Sequence, residues 1–194
     1  SEMCIRDSSN TVPNKVLEQL LYKNFSEIGV PQHTEQEIAY AQQIIASYEM
    51  PNDHLPGNAC EESEEIAAYV DKVSQHGTVP LNDFLDRTFS TKQSAGSTDV
   101  GDVSWLVPTA QINTVTFPSK APGHSWQNVS CGRTSIGHKG LLTAGKVLAA
   151  TAIDLFEQPQ LLEQAKEEFS KRTVGGYFCP VPEDAVPTVV GGQF

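Results

Sequence analysis

Positive charge is scarce in this chain: 13 Lys and Arg stand against 24 Asp and Glu, for a net charge of −11. Nucleic acid and anionic membrane surfaces are bound through clustered Lys and Arg, so neither is an expected partner. Long hydrophobic runs are missing too. No apolar stretch approaches the roughly 18 residues of a membrane span. No basic segment followed by an apolar one opens the chain, so no secretory leader is expected. Cysteine is sparse. Cys4, Cys60, Cys131 and Cys179 are widely spaced and form no CxxC pair. That pattern predicts reduced thiols in a cytoplasmic protein rather than disulfides or a thiolate metal site. The phosphate-binding P-loop, the GxSxG nucleophile turn and the HxxEH zinc signature do not occur.

What is present is a globular composition. Of the 194 residues, 39% are hydrophobic and 19% charged, enough for one core or for part of a larger one. Residues 1–9 begin with "SEMCIRDS", which has neither helical nor strand period and resembles a translated sequencing-adapter scar. We read them as a non-native or pre-domain segment, with the native chain continuing upstream.

Residues 10–172 carry the periodic pattern. Pro13 suits a first helical turn. Val16, Leu17, Leu20, Leu21, Phe25 and Ile28 then recur at helical spacing, with Gly29 placed as a C-cap. Thr34 and Glu37 have the spacing of a capping box, ahead of a helix with Ile38, Ala41, Ile45 and Tyr48 on its apolar face. A third helix is predicted over 62–74, with Ile66, Tyr69, Val70 and Val73 inward. The stretch "AQINTVTF" alternates and is β-branched, so it is predicted to be a strand. "VSWLV" fits a short strand or one helical turn. Thr134 or Ser135 can cap a long helix whose buried stripe would be Ile136, Leu141, Ala144, Leu148, Ala152, Leu155 and Phe156. Pro159 opens a last helix bearing Leu161, Leu162, Ala165 and Phe169. Residues 173–194, rich in Pro and Gly, read as an extended tail. One or two strands make no stable sheet alone. The expected fold is therefore a helix-rich part of an α/β domain that is incomplete on its N-terminal side.

Two short blocks carry chemistry. "GSTDVGDVSW" sets Asp99 and Asp102 three apart between glycines. Paired carboxylates can bind a cation or orient a substrate amine, but they can equally cap a turn through backbone N–H groups. "HSWQNVSCGRTSIGHKG" opens with His124, after the expected strand and a short connection, where a metal ligand or a structural histidine would both fit. Its Gly132 and Arg133 precede a helix N-terminus, a place for a carboxylate or phosphate or for simple capping. His138 falls in that helix's first turn, where the dipole disfavours a charged imidazole, so a neutral, hydrogen-bonded side chain is expected. His33, His54 and His76 lack, on this reading, a second His or a carboxylate at ligand spacing. Glu61, Glu62, Glu64 and Glu65 read as a solvated helix start.

These blocks, the Ala/Leu-rich helix after the second and the tail "GYFCPVPEDAVP" closely resemble the C-terminal part of the M20 family of metal-dependent amidohydrolases and peptidases. The resemblance covers roughly residues 10–190. It implies a three-layer α/β/α zinc-peptidase-like catalytic domain interrupted by a smaller lid domain that often mediates dimerisation. It implies a pair of divalent metals, zinc or alternatively manganese, and a small-molecule substrate such as an N-acyl amino acid, for example p-aminobenzoyl-glutamate. His124 matches the last metal ligand of the family. The segment holding Gly96, Ser97, Asp99 and Asp102 matches a loop lining the active site. Trp126 and Arg133 are further substrate-binding candidates. The family's His-x-Asp pair and Glu-Glu pair belong upstream of the lid and have no counterpart here. The catalytic base is thus expected outside this chain, and the chain alone is expected to be inactive. A homo- or hetero-oligomer through a lid domain absent here is implied. The alternative is a non-catalytic binding subunit of an M20-type complex.

Overall fold

The computed structural model describes residues 9–47, 80, 81, 83, 85, 98–118, 121, 124–179, 181 and 183. Six helices occur among them: α1 (Lys15–Ile28), α2 (Glu35–Ala46), α3 (Val100–Ser104), α4 (Trp126–Gly132), α5 (Ser135–Glu157) and α6 (Pro159–Arg172). The helix predicted over 62–74, with Tyr48, His54 and His76, lies outside the described residues.

The helix ends follow local chemistry. Asn14, not Pro13, begins α1: its side chain accepts from the Leu17 N–H at 3.1 Å, and Pro13 lies just outside the helix. Gly29 ends it at φ 81°, a left-handed conformation that needs no Cβ, and its N–H reaches the Phe25 carbonyl at 2.7 Å. The capping box of α2 is formed in both directions: the Thr34 hydroxyl accepts from the Glu37 N–H and the Glu37 carboxylate accepts from the Thr34 N–H. "VSWLV" forms no strand: Val103 and Ser104 close α3, Trp105 is its C-cap, and Leu106 and Val107 continue as a turn. Pro159 takes the first turn of α6, where its missing N–H costs nothing.

Helix α5 is the spine, with α1, α4 and α6 packed against it. One core cluster joins Leu21 and Phe25 of α1 to Val147 of α5, with Val30, Leu85, Ala110 and Ile112 around it. A second joins Ala41, Leu81 and Ile136, with Tyr40 and Val115 alongside. Each large side chain so buried contributes about 1.5–3 kcal/mol. Polar bridges tie the helices as well. The Asn14 amide donates to the Ala165 carbonyl at 2.9 Å, and Glu168 accepts from the Val16 N–H at 3.1 Å. The Asn24 amide reaches Thr151 at 3.2 Å and Asp154 at 2.9 Å.

The structure departs from three of the expectations. In α2 the buried positions are Glu37, Ala41 and Ile44, while Ile38 and Ile45 are half-buried, because the helix turns its charged Glu37 inward onto α5. In α5 the buried stripe is Ile136, Gly137, Gly140, Thr143, Val147 and Thr151. Leu141, Leu148, Ala152 and Phe156, expected inside, are exposed, and Ala144 and Leu155 are half-buried. The strand predicted over 110–117 is not observed, and no strand occurs among the described residues. A strand is defined by its ladder, and this segment instead lies against α5. The Thr114 hydroxyl donates to the Gly140 carbonyl at 3.1 Å, and a Cβ at Gly140 would overlap the Val115 carbonyl. The helix-rich composition is observed; the α/β/α layering is not seen among the described residues.

Candidate functional site

The first block folds around α3. Gly96 and Ser97 lie outside the described residues. Asp99 takes the N-cap position but makes no side-chain capping bond, leaving an exposed carboxylate. Asp102 is engaged: its Oδ1 accepts from the Ser9 N–H at 3.0 Å and from the Tyr177 hydroxyl at 3.3 Å. The Ser9 N–H in particular holds the Asp102 carboxyl below its ordinary range. Loss of solvent, with Cys179 and Asp102 nearby, pushes the Tyr177 phenol up to about 12. Two more bonds fix this turn. The Val12 N–H donates to the Ser104 hydroxyl at 2.8 Å, and the Trp105 indole donates to the Asn10 carbonyl at 2.8 Å. The residues before α1 and the tail after α6 thus clamp α3 from two directions. The two aspartates that look equivalent in sequence differ in role: one is open, the other a structural acceptor.

The second block is the stretch from His124 to α5. His124 is exposed and adopts φ 55°, the one non-glycine residue with positive φ among the described residues. Histidine tolerates that region better than most side chains, yet the conformation is uncommon. Ser125 follows as the N-cap of α4, its hydroxyl accepting from the Asn128 N–H at 3.3 Å. Trp126 is 63% exposed at the start of α4, while Gln127 and Cys131 turn inward. Burial pushes the Cys131 thiol up, so it is a poor nucleophile; Cys179 is exposed, and both are free thiols. Arg133 is exposed between α4 and α5, with no carboxylate partner among the described residues. Thr134 precedes α5 without a side-chain capping bond, because its hydroxyl donates back to the Cys131 carbonyl at 2.7 Å. His138 is exposed and makes no side-chain hydrogen bond among the described residues, contrary to the expected hydrogen-bonded imidazole.

A buried polar cluster was not legible in the sequence. Glu37 of α2 accepts from Ser135 at 2.5 Å and from Lys139 at 2.7 Å, both on α5, besides its capping bond. Burial raises its pKa, but hydrogen bonds from Lys139, Ser135 and the Thr34 N–H outweigh this and hold it at about 2. His33 stands beside it, Nδ1 at 3.7 Å from the carboxylate, with its side chain only 5% exposed. The reading that His33 has no carboxylate at ligand spacing is therefore corrected: Glu37 follows at i+4. Neither imidazole nitrogen makes a hydrogen bond among the described residues, and burial pushes the His33 pKa down. The one sequence signal for this cluster was the capping box; the link to α5 is tertiary.

Chemically, the described residues offer an exposed imidazole, an open carboxylate, an exposed indole and an unpaired guanidinium. His124, Asp99, Trp126 and Arg133 are not joined to one another by any hydrogen bond or ion pair among the described residues. No group of three or more His, Cys, Asp or Glu among the described residues could hold a metal ion. His124 alone does not make a metal centre, so a metal pair does not fit these residues without further ligands. Among the described residues no helix is long and apolar enough to cross a membrane.

Comparison with known proteins gives an informative likeness. The chain is 36% identical over 181 residues to a subunit of p-aminobenzoyl-glutamate hydrolase from Escherichia coli (strain K12). The matched region covers 93% of this chain but 38% of that protein's length. No protein-family profile and no solved structure matches the chain.

Proposed function

We propose that this chain is the C-terminal part of the catalytic domain of an M20-type metal-dependent amidohydrolase. Its reaction is hydrolysis of the amide bond of an N-acyl amino acid such as p-aminobenzoyl-glutamate. The observation that carries this reading is the likeness to a hydrolase subunit along 93% of the chain. The site geometry is in keeping with it. An exposed histidine in an uncommon backbone conformation is the kind of outlier that concentrates at functional sites.

Each residue then has a task. His124 supplies one imidazole ligand to a divalent metal whose other ligands come from a longer polypeptide. Arg133 is suited to a substrate carboxylate, since a guanidinium pairs with it through two parallel N–H bonds. Asp99, free of any capping bond, can orient a polar substrate group. Trp126 offers an apolar face to an aromatic acyl group. Asp102 fixes the turn that presents Asp99. The general base lies outside this chain, which by itself does not turn over substrate. That the relative is named as a subunit supports an oligomeric assembly, homo- or hetero-oligomeric, for the whole enzyme.

The test is His124→Ala in the full-length polypeptide. Loss of a ligand should lower both bound metal and turnover, the latter by on the order of 100-fold or more. Unchanged metal content together with unchanged turnover would overturn the reading.

A further inference from the structure

Helix α5 is apolar on two sides. Its inward side, with Ile136, Gly140, Thr143, Val147 and Thr151, is buried against α1 and the 110–117 segment. On its other side, Leu141, Leu142, Leu148, Ile153 and Phe156 are all at least half exposed, Phe156 by 85% and Leu141 by 68%. At about 100° per residue these five fall within one arc of about 140°. The positions between them are Gly145, Ala149 and Ala152, so no polar side chain interrupts the arc from 141 to 156. A helix apolar on both sides is built for burial on both sides. Scattered exposed leucines need no explanation, but a continuous stripe along four turns does.

We propose that this outward face of α5 is an intramolecular docking surface, covered by the part of a longer polypeptide that precedes this chain. The inference rests on the reading of the chain as part of a larger hydrolase and adds which surface joins the two parts. Two observations select that occupant. The related hydrolase subunit has most of its length outside the matched region, since the chain spans 38% of it. A second copy is disfavoured because each copy carries a net charge of −11, which opposes self-association. The small residues fit the same picture: among the described residues nothing lies within 4 Å of a Cβ placed at Gly145, so another backbone can approach there.

The experiment compares the 194-residue chain with a fusion that places the upstream part of the E. coli hydrolase subunit ahead of it, each with and without Leu148→Asp. In the chain alone, Leu148→Asp should lower the unfolding midpoint by no more than about 2 °C, since the leucine is exposed and only the helix propensity of the site changes. In the fusion it should lower the midpoint by about 5 °C. Binding of a hydrophobic dye should fall several-fold on fusion. Equal effects of Leu148→Asp in both proteins, or dye binding unaffected by fusion, would overturn the proposal. So would a dimer of the 194-residue chain that Leu148→Asp dissociates, because the occupant would then be a second copy. Should the fusion fail to fold, the chain alone still decides: if Leu148→Asp with Phe156→Lys lowers the midpoint of the monomer by about 5 °C or more, beyond the helix-propensity cost, the face is covered from within and the proposal fails. His124→Ala in the fusion reports on hydrolysis separately, so the interface can stand even if the hydrolase reading falls.

Discussion

His124 holds its φ of 55° in an exposed position, where packing does little to enforce it. A left-handed conformation costs a non-glycine residue about 1 kcal/mol. His124→Gly removes that cost but frees the unfolded chain by a similar amount. The expected result is a stability within about 0.5 kcal/mol of the parent in urea unfolding. His124→Val, β-branched at a positive φ, should lose about 1–2 kcal/mol in the same measurement. Equal stability of the two variants would mean that the turn is not held as described. Glu37 and His33 make a pH prediction. Glu37 is depressed from 4.5 to about 2, so its contribution is full above pH 4.5 and is lost as pH falls toward 2. His33 is a base with a lowered pKa, neutral in the fold. The fold therefore loses stability as pH drops below 6.5, the loss levelling off below the depressed folded value. The charged groups facing His33 among the described residues are Glu37 and Lys139, and they act in opposite directions. His33→Phe should be near neutral at pH 7, because the imidazole makes no hydrogen bond among the described residues, and should flatten the stability profile just below pH 6.5. A wild-type profile already flat between pH 7 and 5 would contradict this.

At the scale of elements, two glycines of α5 separate its covered side from its open one. A Cβ at Gly140 meets the Val115 backbone, whereas one at Gly145 meets nothing within 4 Å among the described residues. Gly140→Ala should therefore destabilise by about 1–3 kcal/mol through overpacking. Gly145→Ala should stabilise the 194-residue chain by about 0.5–1 kcal/mol through helix propensity. Thermal unfolding of the pair would show opposite shifts; shifts of the same sign would mean that the 110–117 segment does not lie on α5. The contact between α1 and α6 offers a third check. Glu168 accepts from the Val16 N–H in the first turn of α1, and burial, which raises its pKa, is outweighed by the N–H bonds and Arg172. Glu168→Ala should cost about 1 kcal/mol, as the loss of a helix cap does.

At the scale of the whole molecule, local rules read from sequence covered several helix ends that depend on neighbouring residues, though not the caps Asn14 and Ser125, whose bonds to the Leu17 and Asn128 N–H groups are just as local. The capping box at Thr34 and Glu37, the glycine ending α1 at Gly29 and the proline opening α6 at Pro159 all follow from interactions within a few residues, and periodicity placed the lengths of α1, α5 and α6. Sequence likewise singled out His124, Asp99 and Arg133, because residue type and spacing are visible without a fold. Which face of α5 is buried was not visible, because both faces are apolar and periodicity cannot rank them; packing of α1 and the 110–117 segment chose the face with Val147 and Gly140. The state of the 110–117 segment was not local either, since a strand exists through a partner ladder. The different fates of Asp99 and Asp102 were decided by Ser9 and Tyr177, 93 and 75 residues from Asp102. The ion-paired Glu37 was decided by α5, 98 and 102 residues away. Interactions spanning a few residues are written in the order of the chain; those between distant segments exist only once the helices have packed.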